Sequence, residues 1–256
     1  MANRFSKYVS KAKQCLPALP LTHTCDGHGF RAIVTACQIS TMQCKLFDEA
    51  LVYFFYGRPA YRPKSWKKEN APAVLPFMPC SIVLKPDALE IPKRIAPFDT
   101  GAWREGLFQQ YMHPEMKIED FLLNPSMDTP TRVVWRFFKS NNNYYYAKPH
   151  SIRIPPIEFE AQSYYDLIKH RATLALDDRG SAIEIQIDHS LPLTSDNLLY
   201  LVLPKVFYID RAIRETIVKE WKTRTALYQI QAITLQEHMG IVYTEVTKFL
   251  SEMGFI

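Results

Sequence analysis

Two spacings of apolar residues divide the chain into elements. In GFRAIVTACQI, Phe30, Ile33, Val34 and Cys37 fall at i, i+3, i+4 and i+7, one face of a short helix, and Asp26 is placed to cap its first turn. ALVYFFYG is aromatic and β-branched and stops at Gly57 and Pro59, which predicts a core strand; CSIVLK predicts another. SAIEIQI alternates, with Ile183, Ile185 and Ile187 on one face and Ala182, Glu184 and Gln186 on the other. TRVVWRFF reads as a strand from its content, AQSYYDLIKHRATLAL as a helix followed by a loop, and NLLYLVLPKVF as a further apolar stretch. Ile213, Ile217 and Trp221 at i+4 steps mark a helix, and Val242 and Val246 with Phe249 or Leu250 mark a closing one. Between Ile91 and Pro130 the signals mix: KIEDFLL predicts a helix and APFDTGAW a turn.

These elements lack regular βαβ alternation, so the expected fold is α+β, a mixed and mainly antiparallel central sheet with flanking helices. The chain has 256 residues, 47% of them hydrophobic, enough to bury one large core. We expect a single domain over 1–256 whose C-terminal segment, from about 205 to 256, is helical. Eighteen prolines against eight glycines favour rigid connections. The basic, proline-rich stretch RPAYRPKSWKKENAPAVLP follows a strand end, where loops commonly hold ligands.

Charge and composition narrow the chemistry. Lys and Arg outnumber Asp and Glu by 31 to 26, a net +5 compatible with a polyanionic partner. MANRFSKYVSKAK has positive charge without a following apolar core, and no apolar run approaches a membrane span, so a soluble cytoplasmic protein without membrane association is expected. The five cysteines form no C-x-x-C pair and are expected to be reduced thiols. His23, Cys25 and His28 lack the second ligand pair of a structural zinc site, so no metal is expected. Neither G-x-G-x-x-G nor a Walker loop occurs, which argues against Rossmann and P-loop nucleotide sites. The triplet DTG at Asp99 matches half of an aspartic protease dyad, but that chemistry needs two carboxylates sharing a proton and no second copy exists.

Taken singly, the remaining candidates have plain structural readings. His23 could cap the next helix, Arg58 could pair with a surface carboxylate, and Glu184 could sit on a solvated strand face. Together, the blocks LTHTCDGHGFRAIVTACQI, ALVYFFYGRPAYRP and DDRGSAIEIQI, in that order, resemble the ADP-ribosyltransferase superfamily, and within it the DarT-type nucleic-acid ADP-ribosyltransferase toxins. They cover under a fifth of the chain. Two departures are evident: Cys25 occupies the place where a threonine commonly follows the histidine, and RPAYR differs from the usual run after the arginine.

The resemblance implies an ADP-ribosyltransferase-like fold and NAD as substrate. It implies that His23, with Thr24, holds a ribose of NAD; that Arg58 contacts the dinucleotide and helps handle the acceptor's proton; and that Glu184 is the catalytic glutamate. Tyr56 and Tyr61 are candidates to stack on nicotinamide, and Arg62, Arg171 and Arg179, with Lys169 and His170, to contact the acceptor. Breaking the nicotinamide–ribose bond leaves an oxocarbenium-like ribose, which a carboxylate bonded to the ribose 2′-hydroxyl stabilises and orients. The implied acceptor is a base in single-stranded RNA or DNA. Tyr144, Tyr145 and Tyr146 beside Lys139 and Lys148, and Lys64, Trp66, Lys67 and Lys68, offer stacking and phosphate contacts for it. A toxin of this type, in a toxin–antitoxin or antiphage system, implies a neutralising antitoxin protein, with or without a chaperone; the C-terminal helices offer it a surface. Transfer to a protein side chain, or a non-catalytic nucleic-acid-binding module, are the alternatives.

Overall fold

The computed structural model describes residues 3–60, 73–174 and 178–256, with 171–174 described by backbone alone. The chain opens with α1 (Arg4–Ser10), β1 (Leu21–Asp26) and α2 (Gly27–Ala36), then β2 (Gln38–Ile39), β3 (Met42–Cys44) and β4 (Glu49–Tyr56). After β5 (Pro79–Leu84) and β6 (Arg94–Ala96) come α3 (Thr100–Arg104), α4 (Asp128–Phe137), α5 (Asn141–Tyr145) and α6 (Phe159–Leu174). The last part holds β7 (Glu184–Ile187), β8 (Leu191–Pro192), β9 (Leu198–Pro204), α7 (Lys205–Ile209), α8 (Arg211–Glu215), β10 (Arg224–Tyr228) and α9 (Leu235–Glu252).

One sheet runs β10-β9-β5-β1-β4-β7-β6, with β3 paired to β4; every pairing is antiparallel except that of β10 with β9. The architecture is therefore α+β with a mainly antiparallel sheet, as the irregular order of elements predicts. One sheet face carries Phe54, Tyr56, Ile82, Ile185 and Leu201, all buried, and packs into the main core with α1, α4 and α6. There Phe5 of α1 meets Phe121 at 5.7 Å, and Phe137 of α4 meets Tyr164 of α6 edge-on at 4.8 Å. Each such ring removed from water contributes on the order of 1.5–3 kcal/mol. On the opposite face α9 covers the β5–β9–β10 end, with Phe249 stacked on Tyr200 at 4.5 Å. The β4–β7 end of that second face is left for the site.

Three expectations change. TRVVWRFF is the helix α4, because its polar residues also follow the helical period: Arg132 and Arg136, four apart, donate to the carbonyls of Ala12 and Tyr8, while Val133, Val134 and Phe137 turn inward. Of the three tyrosines offered above as stacking contacts, Tyr144 and Tyr145 are buried in the short helix α5 and Tyr146, at its end, is exposed. The segment from 205 is not wholly helical, since α7, α8 and a π-helical turn (Thr216–Trp221) lead into β10, which adds a parallel edge to β9. Among the described residues, no helix is long and apolar enough to cross a membrane.

Candidate active site

Strands β1 and β4 pair only through Leu21–Tyr56 and Thr22–Phe55. Beyond Thr22, β1 pairs with β5 alone, while β4 turns to β7 and β3, so the sheet opens into a notch. His23 occupies it. Its Nδ1 lies 2.9 Å from the carbonyl of Tyr53. A carbonyl only accepts, so Nδ1 carries the proton, and in the neutral ring Nε2 is left as an acceptor. Burial lowers the pKa of His23, with the Tyr53 hydrogen bond opposing, which favours that neutral form. Thr24, one residue on, is buried, its hydroxyl 3.4 Å from that of Ser81 on β5.

Glu184 stands opposite Phe55 at the start of β7, so the two side chains share a sheet face. It is only 2% exposed. Three donors converge on its carboxyl: Thr100 N at 3.1 Å on Oε2, and Thr100 Oγ1 at 2.7 Å and Gln186 Nε2 at 2.6 Å on Oε1. Thr100 is the first residue of α3, whose cap Asp99 accepts from Ala102 N through Oδ1. The backbone N–H of Asp99 donates to the Arg179 carbonyl, so the start of α3 also holds the turn Asp178–Gly180 that leads into β7. The DTG triplet thus has a use that its likeness to a protease motif conceals: it straps the glutamate.

Burial, and after it the nearby Asp99, push the Glu184 pKa up to about 8, while the hydrogen bonds from Thr100 and Gln186 pull the other way. The three donors suit the ionised carboxylate; the low-dielectric setting and Asp99 oppose it. A Thr100→Val substitution, losing one donor, is expected to raise the pKa of Glu184 further and to lower turnover roughly tenfold, about one charge-assisted hydrogen bond. Thr100→Ser should restore both. A pH–rate profile that does not move between Thr100→Val and wild type would refute this role.

Two adjoining cavities meet at these residues. The larger, about 390 Å³, is lined by His23, Thr24, Asp26, Gln38 and Ser40 among others; the smaller, about 210 Å³, by Glu184, Asp99, Thr100, Lys45 and Arg104. Tyr53 and Phe55 line both and form their common wall. The structure therefore places His23 and Thr24 in one cavity and Glu184, up to 161 residues away in sequence, in the cavity on the other side of that wall.

Other sequence candidates lie elsewhere. Arg58 is 0% exposed and lines neither cavity. Its Nη2 donates to the Ser181 carbonyl and hydroxyl, its Nη1 lies 3.7 Å from Asp178 Oδ2, and its guanidinium carbon sits 4.3 Å from the centre of the Tyr144 ring. Gly57 makes this burial possible: its φ is +70°, and a Cβ there would lie 2.7 Å from Leu19 Cδ1. Tyr56 is enclosed, its hydroxyl accepting from Leu19 N, so the ring offered to a ligand is that of Tyr53, backed by the buried Phe55 in the same wall, which sequence reasoning missed. Period-two alternation along ALVYFFYG contained that signal, since Tyr53 and Phe55 share the face opposite Tyr56. Arg179 is half-buried in the turn held by Asp99. Lys169 and His170 are exposed at the end of α6, His170 against Tyr111, and line neither cavity. Tyr61, Arg62, Lys64, Trp66, Lys67, Lys68 and the Arg171 side chain lie outside the described residues. Among the described residues, no group of His, Cys, Asp and Glu is placed to hold a metal.

A scan against protein-family models gives no match, and no curated protein matches the chain.

Proposed function

We propose that the chain is an NAD-dependent ADP-ribosyltransferase of ADP-ribosyltransferase-like fold, acting on a base of single-stranded nucleic acid. The observation that supports this reading is the pair of adjoining cavities: a strand-held carboxyl with three fixed donors in one, an acceptor histidine in the other, and an aromatic wall between them. The cavities, about 390 and 210 Å³, together have the size of a cofactor site, within the roughly 300–1,000 Å³ typical of such pockets.

In this reading His23 Nε2 accepts from a ribose hydroxyl of NAD, and Tyr53 takes the nicotinamide face. The ionised Glu184 accepts from the 2′-hydroxyl of the nicotinamide ribose and stabilises the positive charge that develops there. The C1′–N bond breaks with its electron pair leaving on nicotinamide; a nitrogen of the acceptor base forms the new bond at C1′ and gives its proton to solvent. No protein nucleophile takes part. The cationic pyridinium of NAD, placed beside Glu184, favours its ionised form, so NAD binding releases a proton there.

Incubation of the purified chain with labelled NAD and single-stranded DNA, RNA or protein extract tests the reading: label should pass to a nucleic acid in a Glu184-dependent manner. Label on protein alone would move the acceptor class, and the absence of both transfer and NAD cleavage in folded protein would end the enzyme reading. A sharper prediction concerns His23. His23→Asn retains an N–H for the Tyr53 carbonyl but loses the Nε2 acceptor, so KM for NAD is expected to rise on the order of tenfold with a smaller change in kcat. An unchanged KM would remove the histidine from the ribose.

A further inference from the structure

We propose that Lys45 and Arg104 bind backbone phosphates of the acceptor strand at the mouth of the Glu184 cavity. The inference rests on the transferase reading and adds to it the residues that seat the acceptor. The two adjoining cavities differ in charge. The described lining of the larger contains Asp26 and no Lys or Arg, whereas the smaller carries both Lys45 and Arg104. Lys45 is exposed in the turn between β3 and β4; Arg104 is half-buried at the end of α3, four residues after the threonine that fixes Glu184.

Neither cation has a hydrogen-bond or ion-pair partner among the described residues. Other basic side chains near this end of the sheet are engaged: Arg94 pairs with Glu49, and Lys93 lies 3.0 Å from Asp188. A guanidinium at the cavity mouth with no acceptor among the described residues keeps its donors open, and an anion entering the cavity can take them in charge-assisted hydrogen bonds. The two acids of the cavity are held by other groups, Asp99 by the first turn of α3 and Glu184 by Thr100 and Gln186.

A phosphodiester strand fits better than an acidic protein segment. Tyr53, backed by Phe55, puts an aromatic surface in the same cavity as the two cations, the combination with which single-stranded nucleic acids are held. The pairing recurs on the surface of α4 and α5, where Lys139 lies 5.0 Å from the Trp135 ring and Lys148 lies 5.6 Å from that of Tyr146. The net charge of +5 favours the same partner.

The test uses the full chain without NAD, titrated with fluorescein-labelled single-stranded DNA and RNA from roughly 50 to 200 mM salt, values that span the steep range of such binding. Lys45→Gln, Arg104→Gln and the double variant are compared with Arg211→Gln as a distant control, with melting temperatures to confirm folding. Each cleft variant should weaken oligonucleotide binding about five- to tenfold at low salt, and the double variant should flatten the slope of log K against log salt by about 1.4, roughly 0.7 per lost phosphate contact. Equal affinity and slope in the double variant would overturn the assignment. So would a loss confined to NAD affinity, measured by calorimetry, which would give these cations to the dinucleotide's own phosphates, or Lys45- and Arg104-dependent binding of poly-glutamate in place of the oligonucleotides. If wild type cleaves NAD but binds no oligonucleotide, the phosphate contacts fail while the NAD reading stands; if it does neither, both fall.

Discussion

Replacing Glu184 by glutamine is expected to cut NAD cleavage by about a hundredfold or more, on the order of several kcal/mol of transition-state stabilisation, and to remove a pH-dependent weakness of the fold. The carboxyl has an ordinary value of 4.5 and is pushed up to about 8 by burial and then by Asp99. Between those values the folded chain keeps a proton that the unfolded chain gives up. Stability therefore falls as pH rises through that window and levels off above it. At about 1.36 kcal/mol per pH unit, the total is at most about 5 kcal/mol. A glutamine side chain has no such proton to lose, so the difference in unfolding free energy between variant and wild type should grow in the variant's favour from about pH 5 to pH 8. Thermal or urea unfolding at successive pH values measures it, and parallel curves for the two proteins would show that Glu184 is not a buried, proton-holding carboxyl.

The catalytic loss and the stability gain share one cause. A carboxyl sealed under α3 beside Asp99 is costly to ionise, yet in the proposed reaction the ionised form is the one that orients the ribose hydroxyl and faces the developing cation. The rate should therefore rise with pH across the same window in kcat/KM, which reports the free enzyme. In kcat the acid limb should lie at lower pH, because the pyridinium charge of bound NAD favours the carboxylate. Thr100→Val should shift both limbs upward.

The parts of this arrangement legible in the sequence are those set by local pattern. Asp26 caps α2 as its position before the apolar face predicts, and β4, β5 and β7 fall where β-branched and aromatic runs predict strands. Local pattern does not reveal the second burial of β7. Ala182, Glu184 and Gln186 read as an open face, but α3 folds over it from 84 residues away and nothing in SAIEIQI signals that. For the same reason DTG resembles a failed catalytic motif rather than a strap. α4 misleads when β-branched content is weighed above period: Val133, Val134 and Phe137 turn inward while Arg132 and Arg136 reach α1 and the segment after it, a pattern only a helix can make. The proposal that Tyr56 meets nicotinamide fails on face alone, since a one-residue step along β4 moves a ring from the cleft to the core.

Arg58 separates two accounts of the same residue. The resemblance gives it to the dinucleotide; its surroundings give it to the turn before Glu184. Its guanidinium lies over Tyr144, whose hydroxyl donates to the Tyr56 carbonyl and accepts from Ile183 N, the residue before the glutamate. On its other side it holds Ser181 and approaches Asp178, which also accepts from Tyr243 of α9. Arg58→Ala would leave a cavity under Tyr144 and a carboxylate short of its cation, a loss of about 3–5 kcal/mol. Arg58→Lys keeps the charge but cannot reach Ser181 and Asp178 as a fork, and should cost about half as much. If Arg58 acts by positioning, Arg58→Lys assayed well below its melting temperature should lower kcat severalfold, with little change in KM for NAD and no change in the acid limb set by Glu184. A rise in KM with stability near that of wild type would instead place the guanidinium on the dinucleotide, and would mean that the chain around Arg58 rearranges when NAD binds.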